Sequence, residues 1–270
     1  MRLLLGATLP TVLVALELVA YASNHEHEGV WLLNQTARWH GWRALHVIGT
    51  QEGFNTHGLV DKLRALRGFC KGWPANTILV FVDGYDVIIN NEPSKLETDF
   101  LASGKRIIIA SELGCCCDKA TMMASRSDCH RSWPFTPSGG DRRWLNSGVL
   151  IGYASDMRRL LNLAWKEYQQ HPTVYQVYTD QQVLCFLMSD GSNIWTRAAV
   201  AIDHKSELAL TTYNMDIRLG QVLGVDEIGR IVFANRTVPA VIHFNGPKQE
   251  KVAQIAYARA NFPLLWFRLY

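Results

Sequence analysis

Two aspartates follow an apolar run in the first half of the sequence. The segment Ile78–Val82 is entirely apolar and is followed by Asp83, and a second carboxylate, Asp86, comes three residues later. In open α/β sheets, ligands bind outside the carboxyl ends of the strands, which is where this pattern places Asp83. Two carboxylates on one turn can converge on a hard cation such as Mg²⁺ or Mn²⁺ that is shared with a phosphate group. The alternative is a structural turn, because Asp-Gly-Tyr-Asp is also favourable turn chemistry.

A second polar cluster follows an apolar run near the end of the sequence, in the segment VIHFNGPK. The imidazole of His243 would favour Mn²⁺ over Mg²⁺ as a bound ion. Asn245 and the backbone of Gly246 could face a phosphate, and Lys248 could contribute positive charge to it. Taken alone, a histidine in such a position is more often a hydrogen-bonded residue of a strand than a metal ligand.

The elements that would position these residues alternate between strands and helices. Strands are predicted at Val12–Tyr21, Ala44–Ile48, Thr77–Val82 and Arg106–Ala110, and helices at Glu26–Arg38, Gly58–Phe69 and Pro93–Leu101. This β-α-β order predicts an α/β fold, with a mostly parallel central sheet flanked by helices.

The second half has a different pattern. It contains an irregular cysteine-rich stretch, a strand in LNSGVLIGYAS, a helix capped by Ser155 with Leu160, Leu161 and Trp165 inward, a helix in DQQVLCFLMSD, and several short strands. We interpret residues 1–270 as a single domain. It divides into a nucleotide-binding half at about 12–112, a cysteine-rich loop at 113–140, and a half at 141–270 that completes the acceptor and metal sites.

Composition limits the class of protein. The chain has 270 residues, of which 48% are hydrophobic and 19% are charged, so it can build a sizeable core and is not of the disordered class. The net charge of +3 gives no indication of a nucleic-acid partner, and we expect none. The apolar N-terminal stretch has the outline of a secretory signal but could equally contain the first strand. Pro10 and Glu17 interrupt it, so no stable membrane span is expected.

Four of the six cysteines lie close together, at positions 115, 116, 117 and 129, and the others are Cys70 and Cys185. Three adjacent cysteines are poorly placed to chelate one zinc ion. Two interpretations stay open: a disulfide from one of Cys115–Cys117 to Cys129 in an oxidising compartment, or free thiols.

Five segments, in order, resemble the glycosyltransferase domain of the procollagen lysyl hydroxylases: FVDGYDVII, LNSGVLIGYA, TDQQ, IDHKS and IHFNGPK. The more distant procollagen galactosyltransferases share parts of the pattern. The resemblance implies a GT-A fold, UDP-glucose or UDP-galactose as donor, and Mn²⁺ (or Mg²⁺) held by Asp83, Asp86 and His243. It also implies that the nucleotide contacts Ser23, Lys62, Tyr85, Asn245, Gly246 and Lys248.

The same resemblance assigns residues to the sugar and acceptor side. Trp133 matches a tryptophan over the sugar site, although without the resemblance it would be a core or loop tryptophan. Asn146 could bind sugar hydroxyls or belong to a turn. Asp180 stands where the family has a run of aspartates, here followed by Gln181, and its alternative role is a helix cap. Asp203 and His204 are expected to be structural.

The leading hypothesis is a metal-dependent transfer of glucose or galactose from a UDP-sugar to a hydroxyl of a protein or glycan, with galactosylhydroxylysine of a collagen-like protein as a candidate acceptor. The alternative is a degenerate domain that binds a sugar nucleotide or a protein partner without turnover. The secretory pathway lumen, in the endoplasmic reticulum or Golgi, is favoured over the cytoplasm.

Overall fold

A nine-stranded mixed sheet forms the centre of the protein. The computed structural model describes residues 15–50, 58–114, 142, 144–171, 180–189, 194–215 and 221–261. Within these ranges the strands are β1 (Leu16–Tyr21), β2 (Leu45–Ile48), β3 (Ile78–Asp83), β4 (Val87–Ile89), β5 (Ile107–Glu112), β6 (Trp144–Tyr153), β7 (Val200–Asp203), β8 (Ala209–Thr211), β9 (Val222–Val225), β10 (Ile231–Phe233) and β11 (Val241–His243). The helices are α1 (Glu28–Trp39), α2 (Gly58–Cys70), α3 (Pro93–Ala102), α4 (Ala154–Gln170), α5 (Asp180–Ser189), α6 (Ile194–Ala199) and α7 (Lys248–Asn261).

The strand order of the sheet is β2-β1-β3-β6-β5-β8-β11-β4, with β7 paired to β5, and β9 and β10 form a separate two-stranded ribbon. Strand β6 runs antiparallel to both β3 and β5, and β4 runs antiparallel to β11. The other pairs of the large sheet are parallel. The sheet is therefore mixed but mostly parallel, as the sequence pattern predicts.

The central strands are buried on both faces, because helices cover both sides of the sheet. Alternate residues of β3 belong to different clusters: Leu79 and Phe81 pack with α2, α4 and α5, whereas Val80 and Val82 pack with α1 and α3. A third cluster joins the β9–β10 ribbon, β11 and α7. This double burial explains why the strands read as continuous apolar runs in the sequence rather than as alternating patterns.

The sheet must curl to bring its edge strand β4 back towards β3. Five strand positions separate β3 from β4, which at a spacing of about 4.8 Å amounts to about 24 Å in a flat sheet. Only residues 84–86 join the two strands, and this connection can span at most about 15 Å. The curl therefore places the end of β11, which pairs with β4, beside the end of β3.

Several predicted elements differ from the structure in detail. The prediction missed β4, and it did not anticipate that β6 separates β3 from β5 as an antiparallel strand. Ser155 is not the cap of α4, because the helix begins at Ala154 and the N-cap position is Tyr153. Leu160 and Leu161 are buried as predicted, whereas Trp165 is only half-buried and the buried residue of that turn is Ala164. Strand β1 begins at Leu16, and residues 12–14 lie outside the described part.

Two of the six cysteines lie in the described part of the chain. Cys185 of α5 is disulfide-bonded, and Cys70, at the end of α2, is a buried free thiol. The predicted partners Cys115–Cys117 and Cys129 lie outside the described residues. None of the described helices is long and apolar enough to cross a membrane.

Candidate active site

A cavity of about 430 Å³ opens where the parallel strands end. Asp83 ends β3, Glu112 ends β5 and His243 ends β11, so each of these strands delivers one ionisable side chain to the same edge of the sheet. The complete lining is Lys62, Asp83, Asp86, Glu112, Asn146, Ser147, Gly148, Asp180, Gln181, Tyr213, His243, Asn245, Gly246, Pro247 and Lys251. Eight residues assigned to the site from sequence are among them.

Asp83, Asp86 and His243 form a compact cluster in this cavity. Their potential ligand atoms all lie within 4.8 Å of one another. The pairing of β4 with β11 sets this geometry, because Val87 lies opposite His243 and Asp86 immediately precedes Val87. The Nε2 atom of His243 lies 3.3 Å from Asp86 Oδ1 and 3.6 Å from Asp83 Oδ2.

Asn146 fixes the orientation of the His243 ring. Its amide nitrogen donates to Glu112 Oε2 at 2.9 Å, which identifies Oδ1 as the atom that lies 3.0 Å from His243 Nδ1. Because an amide oxygen only accepts hydrogen bonds, Nδ1 carries a proton, and Nε2, which faces the two carboxylates, is the nitrogen that a metal ion would bind. Two oxygen donors and one imidazole nitrogen with this tautomer fit a divalent transition-metal ion such as Mn²⁺.

Each carboxylate of the cluster also has a lysine partner. Lys62 Nζ donates to Asp83 Oδ1 at 2.8 Å, and Lys251 Nζ donates to Asp86 Oδ2 at 2.5 Å. Burial alone would raise the pKa of Asp86, but His243 and Lys251 lower it below its usual value. Burial would likewise lower the pKa of His243, which the Asp86 and Asp83 carboxylates raise instead. The site thus concentrates negative charge that nearby cations compensate.

Asp180 and Lys62 form a buried ion pair at the side of the cavity. The Asp180 carboxylate lies 2.7 Å from Lys62 Nζ, and both side chains are less than 5% exposed. Burial raises the pKa of Asp180 and the Lys62 ammonium opposes that increase. Asp180 is the first residue of α5. Its carboxylate therefore connects, through Lys62, to Asp83 of the cluster that Asp83, Asp86 and His243 form.

Glu112 is a buried carboxylate that was not predicted as a site residue. It accepts hydrogen bonds from Asn146 at 2.9 Å, Gln181 at 2.7 Å and Asn245 at 2.7 Å. The same pattern that indicates Asp83, an apolar run ending at a carboxylate, is present in IIIASE and could have identified it. Glu112 holds β6, α5 and the segment after β11 together at the cavity.

Of the three residues assigned to the phosphates from sequence, two line the cavity and one does not. The side chain of Asn245 is committed to the fold, since its Oδ1 accepts from the backbone of Thr212 and Tyr213 at 3.0 and 2.9 Å. Gly246 lines the cavity with φ +119°, a backbone conformation that favours glycine. Lys248 is exposed and does not line the cavity, whereas Lys251, one turn further along α7, does.

Ser23 and Tyr85 lie together beside the cavity. The Tyr85 hydroxyl is 2.9 Å from Ser23 Oγ and accepts from the backbone of Asn24 at 2.8 Å. Its ring also packs on His27 with a centroid distance of 4.4 Å. Neither Ser23 nor Tyr85 is in the cavity lining, so they form a separate polar patch where β1 ends.

Comparison with known protein families identifies the family of this chain. The profile of the PLOD GT domain matches residues 14–262. The chain belongs to the PLOD GT domain family. This result confirms the resemblance that the five sequence segments carry.

The sequence relatives of this PLOD GT domain are longer proteins. It is 27% identical over 199 residues to the human multifunctional procollagen lysine hydroxylase and glycosyltransferase LH3, covering 70% of this chain and 23% of that protein. It is 26% identical over 260 residues to procollagen-lysine,2-oxoglutarate 5-dioxygenase 1 of Rattus norvegicus, covering 92% of this chain and 32% of that protein. The chain thus spans about a quarter to a third of the length of these relatives.

A solved structure supports the fold assignment. The PLOD GT domain superposes with a TM-score of 0.53 on a glycosyltransferase involved in the glycosylation of the major capsid of PBCV-1, at 10% sequence identity and covering 90% of this chain and 99% of the other. At this identity the likeness shows the fold alone, which is of the GT-A type as predicted.

Three further residues were singled out from the sequence: Asp203, His204 and Trp133. Asp203 is structural as expected, because it accepts from the backbone of Glu207, Leu208 and Ala209 at 3.0, 2.8 and 2.9 Å. His204 Nδ1 lies 2.7 Å from the carbonyl oxygen of Arg142. Trp133, predicted over the sugar, lies outside the described residues.

Proposed function

We propose that the protein transfers a hexose, glucose or galactose, from a UDP-sugar to a hydroxyl group in a reaction that depends on Mn²⁺ (or Mg²⁺). The observation that carries the proposal is the cluster of Asp83, Asp86 and His243 in a cavity at the strand ends. A divalent ion held there would neutralise the negative charge that develops on the UDP leaving group. Family membership supplies the reaction class, and the cluster supports the metal and the diphosphate.

The donor site that we propose extends from the polar patch at Tyr85 to the cavity. Ser23 and Tyr85 would contact the uridine, and the backbone at Gly246 would approach the diphosphate closely, because a side chain is absent there. Lys251 lines the cavity and is better placed than Lys248 to pair with a phosphate oxygen. The predicted positive charge near the phosphates is thereby kept, although it comes from a different residue.

The sugar-binding part of the proposed site contains Asp180, Glu112 and Asn146. Asp180 is a desolvated carboxylate in the cavity wall, where it could bind a hexose hydroxyl or stabilise developing positive charge on the sugar. Asn146 acts as a positioning residue, because both ends of its amide are already bonded to Glu112 and His243. Trp133 remains a proposed stacking partner of the sugar.

The acceptor that we propose is a hydroxyl on a protein or glycan, with galactosylhydroxylysine of a collagen-like protein as the first candidate. The support comes from the names of the relatives, which describe procollagen lysine hydroxylases and a glycosyltransferase. We place the protein in the secretory pathway lumen, because the Cys185 disulfide is typical of an oxidising compartment.

One observation favours the second candidate, a domain that binds a sugar nucleotide without turnover. The Asp180 carboxylate is paired with Lys62 inside the protein. If that ion pair persists when donor is bound, the remaining carboxylate of the family's aspartate run is not available to the sugar. Binding through the metal cluster would then be preserved while the chemical step is lost.

Release of UDP from a panel of UDP-sugars, with and without Mn²⁺, separates the two candidates. A hexosyltransferase releases UDP from at least UDP-glucose or UDP-galactose when Mn²⁺ is present, and EDTA abolishes the release. Tight UDP·Mn²⁺ binding with no release from any donor, even with galactosylhydroxylysine peptides added, would favour the degenerate domain.

A further inference from the structure

The two lysines that pair with Asp83 and Asp86 differ in burial and in the number of their carboxylate partners. Lys62 is 4% exposed and contacts both Asp83 and Asp180. Lys251 is 31% exposed and its ion-pair partner among the described residues is Asp86. Lys62 is therefore fixed in the protein interior. The Lys251 ammonium is already partly solvated, so it can exchange Asp86 for another anion without first being moved out of the protein interior.

A divalent ion cannot join the cluster without affecting Lys251. The Lys251 ammonium lies 2.5 Å from Asp86 Oδ2, and the same carboxylate faces Asp83 and His243, where the ion would bind. Two cations that share one carboxylate repel each other, and burial of Asp86 weakens the screening of that repulsion by solvent.

Lys251 also lies where a nucleotide diphosphate would bring new negative charge. Its side chain lines the same cavity as Gly246 and Pro247. The flexible stem of a lysine allows its ammonium to change partners without movement of the helix that carries it.

On the basis of the proposed metal- and UDP-dependent function, we propose that Lys251 is an internal competitor for the metal position at Asp86 and moves to the diphosphate when ion and nucleotide bind together. Metal alone would then bind weakly, because it must displace Lys251. Metal with nucleotide would bind strongly, because the displaced ammonium gains a phosphate partner. The residue would couple the two ligands, and by linkage each would raise the affinity for the other by the same factor.

Calorimetric titration with MnCl₂, alone and with saturating UDP, tests the proposal. The variants are Lys251→Gln and Lys251→Met, which remove the charge, Lys251→Arg, which keeps it, and Lys248→Gln on the exposed side of the same helix. We expect both neutral variants to bind Mn²⁺ alone about 10-fold more tightly than wild type, and the UDP-induced gain in Mn²⁺ affinity to fall by at least that factor. Lys251→Arg and Lys248→Gln should bind Mn²⁺ alone as wild type does.

The deciding quantity is the difference between variants, because free UDP chelates Mn²⁺ in every titration equally. Thermal melts establish that each variant is folded. If wild type binds UDP·Mn²⁺ but neither neutral variant gains affinity for Mn²⁺ alone, the competitor role is wrong and the proposed function stands. If wild type binds Mn²⁺ neither alone nor with UDP, both proposals are wrong.

Discussion

Asp180 combines a structural contact with a position in the cavity wall. Its carboxylate is nearly fully buried and lies 2.7 Å from Lys62, which also contacts Asp83. A helix-cap role would need only an acceptor at the start of α5, which asparagine supplies almost as well as aspartate. The ion pair with Lys62 needs the charge, and so does stabilisation of a developing oxocarbenium ion. Replacement by asparagine therefore distinguishes a cap from the two roles that need the charge, and turnover and stability measured together distinguish those two roles from each other.

We predict that Asp180→Asn lowers kcat by roughly 10²–10³ and changes Mn²⁺-dependent UDP affinity much less. In the proposed site UDP would be held mainly by the Asp83–Asp86–His243 cluster and Lys251, whereas Asp180 would act as charge develops on the sugar. The melting temperature should also fall, because Lys62 retains only one of its two carboxylates. Asp99→Asn, at an exposed ion pair with Lys95, is the matched control. Wild-type turnover in Asp180→Asn would return this residue to a purely structural role.

The residues at the strand ends were predictable and those on helix faces were less so. Asp83 and His243 follow apolar runs, and the rule that ligands bind at the carboxyl ends of strands selects them directly. Glu112 obeys the same rule but has no neighbouring motif that draws attention to it. Lys251 could not be selected over Lys248, because the choice depends on the rotation of α7 relative to the cavity, and only packing determines that rotation.

At the scale of elements, the sequence predicts which segments are strands better than it predicts their order. Strand β6 is a long apolar segment, and nothing local in it specifies that it inserts antiparallel between β3 and β5. That insertion nevertheless builds the site, because it brings Asn146 and Gly148 against His243 from the side. The short strand β4 was missed because it has only three residues and follows the turn at Asp83 directly.

Gly148 is the residue that lets β6 approach His243 of the proposed metal site. A Cβ atom at this position would lie 2.1 Å from His243 Cε1 and 2.4 Å from His243 Nδ1, so the imidazole would have to move. We predict that Gly148→Ala weakens Mn²⁺ binding roughly 10- to 100-fold, the range typical of changes to groups that orient a metal ligand. Titration with MnCl₂ in the presence of UDP measures the loss.

The control for Gly148→Ala is Gly68→Ala in α2. A Cβ atom there meets nothing within 4 Å, and alanine is the better helix former by about 0.5–1 kcal/mol. Gly68→Ala should therefore keep Mn²⁺ affinity and leave the melting temperature unchanged or raised. Equal Mn²⁺ affinity in the two variants would show that β6 does not constrain His243.

At the scale of the whole molecule, the site depends on a sheet that is covered by helices on both faces. The cluster on the side of α2, α4 and α5 includes Cys70 at the end of α2, which is fully buried. Burial raises the pKa of its thiol to about 12. A thiolate is the reactive species, so both low accessibility and low ionisation protect this residue in the folded protein.

We predict that Cys70 resists alkylation by iodoacetamide at pH 8 in the native protein and reacts readily in denaturant. Peptide mapping by mass spectrometry follows Cys70 separately from the other cysteines. Its modification should track loss of the native fold in a denaturant series, because Cys70 is fully buried in the cluster that joins α2, α4 and α5, and exposing it means separating these elements. Rapid labelling of Cys70 under native conditions would contradict the packing of α2 on the sheet.

Calorimetric titration of UDP into wild type, Asp83→Ala and Asp86→Ala, each with Mn²⁺ and with EDTA, decides whether the strand-end cluster is a metal centre for a sugar nucleotide. Wild type should bind UDP in the presence of Mn²⁺ and lose that binding in EDTA. Both variants should lose it by more than about 100-fold, since they remove a ligand itself rather than a group that orients one. Their cooperative thermal unfolding should persist, because both carboxylates lie outside the apolar clusters. Unchanged UDP affinity in both folded variants would contradict the assignment of the metal site and the function built on it.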